Sequence, residues 1–131
     1  MIVDTSALIA VANNESSANA LSRVLRSDGP FAMSAATHLE TLLVSDRHPN
    51  PTVSRYVEAL IRESEIVVEE FSEQQSGIAR RAYQLFGKGS GHPAKLNFGD
   101  CFSYALAIDT NRPLLFVGND FSHTDVRVAE Y

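Results

Sequence analysis

Apolar residues recur along the chain in two alternating rhythms. Short β-branched or apolar runs give way to longer stretches with apolar positions three and four residues apart. The short runs at 2–5, 31–33, 66–69 and 114–117 predict strands, and a weaker run at 126–128 predicts a fifth. Helical spacing predicts helices over 6–11, 15–27, 34–47, 52–63, 72–86 and 99–108. On the second of these, Ala18, Leu21, Val24 and Leu25 form the apolar side. Asp28-Gly29-Pro30 and His48-Pro49-Asn50-Pro51 are stop signals. Ser34 and Asn97 are candidate N-caps, and Ser72 with Gln75 three residues on forms a capping box. The run Gly87-Lys88-Gly89-Ser90-Gly91-His92-Pro93 reads as a flexible loop by composition. Strands separated by helices need crossover connections, which predicts a mainly parallel sheet of four to five strands with helices on both faces, an α/β/α arrangement. In such sheets ligands gather beyond the carboxyl ends of the strands.

Composition narrows the class. With 131 residues, 44% hydrophobic and 21% charged, the chain has the makings of one folded domain spanning 1–131. Cys101 has no partner for a disulfide and reads as a buried small hydrophobe. His38, His48, His92 and His123 make no zinc spacing with one another or with Cys101. No apolar run approaches the roughly 18 residues of a membrane span. Met1-Ile2-Val3 runs directly into Asp4, which predicts no secretory signal and a cytoplasmic protein. The net charge of -5 argues against a broad nucleic-acid-binding surface, which is normally basic.

Four carboxylates stand out. Asp4 lies at the carboxyl end of the first strand and is read equally as a helix cap. Glu40 lies mid-helix beside Ala36, Leu39, Leu43 and Val44, which places it on or next to the expected buried stripe; a rim position reaching water is the alternative. Asp100 is the one charge in Phe98–Ile108, a helix apolar nearly all round. With Asn97 available as the cap, Asp100 is left for another task. Asp120 follows the last strong strand within Gly118-Asn119-Asp120, which is also ordinary turn chemistry. Four acids from four segments can meet at one sheet edge. Such a cluster needs cations, and an all-oxygen set favours Mg²⁺ or Mn²⁺ over zinc.

In this order and spacing, Asp4, Glu40, Asp100 and Asp120 resemble the acids of the PIN-domain ribonucleases. More narrowly, the chain resembles VapC-type toxins of bacterial toxin–antitoxin pairs. The resemblance runs the whole length, through Ile2-Val3-Asp4-Thr5-Ser6-Ala7-Leu8, the helix with Leu39-Glu40, Leu96-Asn97-Phe98-Gly99-Asp100-Cys101-Phe102-Ser103-Tyr104 and Leu115-Phe116-Val117-Gly118-Asn119-Asp120-Phe121. It implies a three-layer PIN-like domain and a Mg²⁺-dependent endoribonuclease, usually homodimeric, held inactive by a cognate antitoxin. Asp4 and Asp100 would be core metal ligands, with Glu40 and Asp120 completing the site directly or through water. Thr5, Ser6 and Ser103 are candidates for orienting a ligand or for plain capping and packing.

From Gln74 to Gly99 there is no acidic residue, while Arg80, Arg81, Lys88, Lys95 and His92 all fall there. Lys88 and Lys95, nearest Asp100 in sequence, are the stronger candidates for holding RNA phosphates; Arg80 and Arg81 are as well explained as a solvated helix face. Rival readings are a catalytically silent PIN-like module that binds RNA or protein, and a phosphotransfer domain of receiver or phosphatase type. The phosphatase pattern wants an acid where Ser6 stands, and the receiver pattern wants an Asp where Glu69-Glu70-Phe71 stands. Setting the four clustered acids aside leaves 11 cationic against 12 acidic side chains, and Glu63, Glu65, Glu69, Glu70 and Glu73 crowd one short strip. A small RNA-binding surface is therefore compatible with an acidic chain.

Overall fold

The computed structural model describes residues 1–27 and 29–131; Asp28, part of the first stop signal, lies outside the described residues. Strands β1 (Ile2–Val3), β2 (Ala32–Ser34), β3 (Val67–Glu69) and β4 (Leu114–Leu115) form a parallel sheet in the order β3-β2-β1-β4. Between them run helices α1 (Thr5–Ala12), α2 (Ala18–Leu25), α3 (Ala35–Asp46), α4 (Thr52–Glu63), α5 (Glu73–Phe86) and α6 (Asp100–Thr110).

The pleat sorts the core into two layers. Register pairs Ile2 with Ala32 and Leu114, and Val3 with Leu115. Ile2, Ala32 and Leu114 pack with Ala79 and Ala82 of α5 and with Tyr104 and Leu106 of α6. Val3, Met33 and Leu115 pack with Leu8 of α1, Leu21 and Leu25 of α2, and Val57 and Ile61 of α4. Alternate residues of one strand thus serve opposite helix layers, the expected three-layer α/β/α domain. Each wholly buried Leu or Ile stabilises the fold by about 1.5–3 kcal/mol.

Element ends differ from expectation for local reasons. β1 ends at Val3 because Asp4 turns its carboxylate onto Ser6 N (2.9 Å) and caps α1, so Thr5 is helical. β4 stops at Leu115 because its neighbour has ended; Val117 N donates to Ser6 Oγ (3.0 Å) instead of a strand carbonyl. The second helix starts at Ala18, not 15, and ends at Leu25. The fifth strand is reduced to one bridge, Leu114 with Val128.

The largest correction concerns α3. Its buried stripe is Thr37, Thr41 and Ser45, whereas Leu39, Leu43 and Val44 are exposed. Small residues let α3 lie close against α1 and α4. Their hydroxyls are satisfied in place: Thr41 Oγ1 donates to Thr37 O (2.8 Å) and Ser45 Oγ to Leu42 O (2.9 Å).

Candidate active site

The chain passes from β1 out through β2 to β3, then returns to place β4 on the other side of β1. That reversal is a topological switch point, and open parallel sheets bind ligands beyond the carboxyl ends of the strands there, here those of β1 and β4. Asp4 follows β1, and the segment ending in Asp120 follows β4.

Asp4 is only 4% exposed, and both its oxygens are engaged. Oδ1 accepts from Ser103 Oγ (2.6 Å); Oδ2 accepts from Ser6 N (2.9 Å) and Ser6 Oγ (2.7 Å). Because the Ser103 proton is used on Asp4, the 3.1 Å contact between Thr37 and Ser103 hydroxyls has Thr37 as donor. Ser6 also accepts from Val117 N, so one hydroxyl ties the start of α1 to the strand end beside it. Thr5, Ser6 and Ser103 are therefore more than caps or filler. They solvate the site's carboxylates.

Asp100 does not stay clear of capping. Asn97 Oδ1 accepts from Asp100 N (2.9 Å), and Asp100 Oδ2 accepts from Asn97 N (2.7 Å), a reciprocal box that starts α6. The Asp100 carboxyl is nevertheless pushed up to about 7, first by desolvation and then by the negative charges of Asp4, Asp120 and Glu40, against the lowering effect of the Asn97 amide. Those three fields place all four acids in one electrostatic neighbourhood. Glu40, half-buried, accepts from Thr5 Oγ1 through Oε2 (2.9 Å). Its carboxyl is also raised, by desolvation first and then by the charge of Asp4, with the Thr5 bond opposing. Asp120 is exposed at the rim, just before the 3₁₀ turn Phe121–His123.

The sequence predicted that the four acids converge. The structure brings Asp4, Glu40 and Asp120 within electrostatic range of Asp100 without closing a cage: among the described residues, no three acid, histidine or cysteine side chains are assembled to grip an ion. The donor set fits a hard divalent cation, because it is all oxygen and no Lys or Arg is paired with any of the four among the described residues.

Gly99 was not singled out from sequence. A Cβ there would lie 2.7 Å from Glu40 Cδ and closer still to Oε1, so a bare backbone lets α6 approach the Glu40 carboxylate. Thr37 and Thr41 were missed too; their four-residue spacing on α3 was the available signal. Cys101 is buried as expected, its thiol pushed up to about 11 by desolvation and by Asp100.

The basic candidates divide. Lys88 and Lys95 line one cavity of about 380 Å³ with Gly89, Gly91 and His92. Arg80 and Arg81 are exposed on α5 and do not line it; the Arg81 charge acts on the Tyr104 phenol, which donates to Asp125 Oδ1 (2.6 Å).

Comparison with known proteins identifies the family. The PIN-domain family profile matches residues 1–127. Ribonuclease VapC28 of Mycobacterium tuberculosis is 53% identical over 129 residues, covering 98% of this chain and 97% of the relative. Two solved structures share the fold at low identity. VapC20 of Mycobacterium tuberculosis, a sarcin–ricin loop cleaving toxin, superposes with a TM-score of 0.74 at 18% identity, covering 98% of this chain and 97% of that one. A chain of a toxin–antitoxin complex from Klebsiella pneumoniae gives 0.71 at 17%, covering 99% and 97%. With the profile matching residues 1–127 of the chain and relatives aligned nearly end to end, the chain belongs to the PIN-domain family and, within it, to the VapC ribonucleases.

Proposed function

We propose that this protein is a Mg²⁺-dependent endoribonuclease, with Mn²⁺ as a substitute, acting as the toxin of a toxin–antitoxin pair. The observation that carries the reading is the shared field of Asp4, Glu40 and Asp120 at Asp100, with no Lys or Arg paired with any of the four among the described residues. Asp4 and Asp100 are the proposed principal ligands, and Glu40 and Asp120 complete the set. A bound divalent ion would supply an acidified water and screen the charge that builds on the scissile phosphate.

This chain's own residues do the rest. Ser6 and Ser103 fix both oxygens of Asp4, so its carboxylate needs no reorganisation. Thr5 holds Glu40 by Oε2 and leaves Oε1 toward Gly99. Asp100 is held by one oxygen on the Asn97 amide, leaving the other available. Raised proton affinity at Asp100 and Glu40 makes ion uptake compete with protonation, so uptake strengthens as pH rises.

RNA is the proposed substrate, with Lys88 and Lys95 as phosphate contacts and Arg80 and Arg81 as outlying ones. A cognate antitoxin and a homodimer partner are the proposed protein partners; the exposed apolar positions Leu39, Leu43 and Phe98 are in keeping with protein contacts near Glu40 and Asp100. Residence in the cytoplasm belongs to the same reading.

The test is cleavage of labelled RNA by purified protein. Cutting should require Mg²⁺ or Mn²⁺, stop in EDTA and be lost in Asp100→Asn. Cutting that persists in EDTA, or an Asp100→Asn variant as active as the parent, overturns the reading.

A further inference from the structure

The glycine-rich segment between α5 and α6 is more ordered than its composition predicts. Lys88 N donates to Leu96 O and Leu96 N to Phe86 O, both at 2.9 Å, closing the loop at its neck. Inside it, Ser90 N donates to Gly87 O (3.1 Å), His92 N to Ser90 Oγ (3.2 Å) and Ala94 N to His92 Nδ1 (3.2 Å). The closed loop frames the cavity of about 380 Å³ lined by Lys88, Gly89, Gly91, His92 and Lys95.

Three features define what fits. First, the cavity is on the scale of small-molecule sites and far larger than a single phosphate group requires. Second, Gly89 (φ +90°) and Gly91 (φ +84°) leave open space where a side chain would stand, so a flat group can lie against backbone. Third, the His92 ring is fixed. It meets Phe86 edge-on at 4.9 Å and 71°, and Nδ1 accepts from Ala94 N, which leaves Nε2 as the ring's donor. Exposed Lys88 and Lys95 have no carboxylate partner among the described residues. A fixed aromatic ring with cations at its rim is the chemistry that takes up unpaired bases of single-stranded RNA.

We propose that the 87–96 loop is a nucleotide pocket: one unpaired RNA base rests against His92, and Lys88 and Lys95 hold the phosphates on either side. The proposal rests on the ribonuclease reading and deepens it. Leu96 and Asn97 lead from this pocket directly into the Asp100 capping pair, so the captured nucleotide positions the strand for cleavage nearby.

The experiment measures fluorescence anisotropy of a short labelled single-stranded oligoribonucleotide across a salt series, with Asp100→Asn as the parent so that RNA stays intact. Lys88→Ala and Lys95→Ala should each weaken binding and shallow the log affinity against log salt slope by about 0.7. His92→Asn keeps an oxygen able to accept from Ala94 N but removes the ring. It should weaken binding roughly 5- to 150-fold with the salt slope unchanged. His92→Phe, restoring a ring, should recover most of that loss. If both His92 variants bind like the parent while the lysine variants weaken, the cavity handles phosphate alone and the base pocket is wrong. If all variants bind like the parent while the wild-type chain still cuts RNA, only the pocket falls. If neither parent nor wild type engages RNA, the ribonuclease reading falls with it.

Discussion

Asp4 and Asp100 lie within reach of each other's charge, and the protein treats them in opposite ways. Asp4 is almost wholly buried, yet two serine hydroxyls and a backbone amide stand in for the water it has lost. Asp100 is less buried but receives a single amide, and its carboxyl is pushed up to about 7. Depth alone therefore does not decide how costly a charge is. What decides it is how many donors replace water and how many like charges look on. Asp4 is anchored, and Asp100 is held short of satisfaction, in demand of a counter-charge.

The strongest break in that comparison is Asp100→Asn. It should lower cleavage by roughly 100-fold or more, beyond what loss of a ligand's supporting partner costs, while the new amide oxygen still accepts from Asn97 N and, with no carboxylate left to ionise there, the variant melts no lower than the parent at neutral pH in EDTA. A pH series sharpens the same contrast. The unfolded chain gives up the Asp100 proton near the ordinary 3.8, the folded chain near 7, so between those values the folded state binds more protons. Stability in EDTA should therefore fall as pH rises from about 4 to about 7. Asp100→Asn should flatten most of that decline in a thermal melt, and a decline of unchanged size would show that other groups cause it. Ser103→Ala attacks the anchored side, leaving Asp4 Oδ1 and the Thr37 hydroxyl without their partner in a fully buried place. It should cost about 1–3 kcal/mol in urea unfolding. Gly99→Ala presses on Glu40 from a helical backbone without torsional strain. It should cost about 1 kcal/mol, since only a flexible side chain must yield, yet reduce cleavage. Smallest of all, Leu43→Ser on the outer face of α3 should change monomer stability by no more than about 0.5 kcal/mol.

The α3 face shows where sequence reading stops. Leu39, Leu43 and Val44 look like core by hydrophobicity, and Thr37, Thr41 and Ser45 look like surface. Packing reverses both, because close helix contact favours small side chains and their hydroxyls can be satisfied locally. By contrast, β1, β2 and α6 were legible from a short β-branched run, a short apolar run and an apolar helix carrying one charge. The four acids were visible as misplaced charges. Of the supporting hydroxyls, Thr5, Ser6 and Ser103 were visible but not separable from plain caps and packing, since a serine before a helix or inside one has many ordinary uses, and Thr37 and Thr41 were not picked out at all. The fit of Gly99 against Glu40 depends on a long-range approach that no local pattern encodes. The Gly-rich loop misled for a related reason: glycine content reports backbone freedom, whereas the neck bonds between residues 86–88 and 96 remove it.

The Ser103 bond to Asp4 joins residues 99 apart in sequence, and the Val117 bond to Ser6 joins residues 111 apart. Contacts so distant along the chain form late in folding, after the loop between them has closed. While the chain is being synthesised, Asp4 emerges among the first residues and waits for nearly the whole of the rest. A growing chain on the ribosome, or one cut short before Val117, lacks the wiring that fixes this carboxylate. The hydrogen bonds that fix Asp4 are thus completed only in the last stage of synthesis.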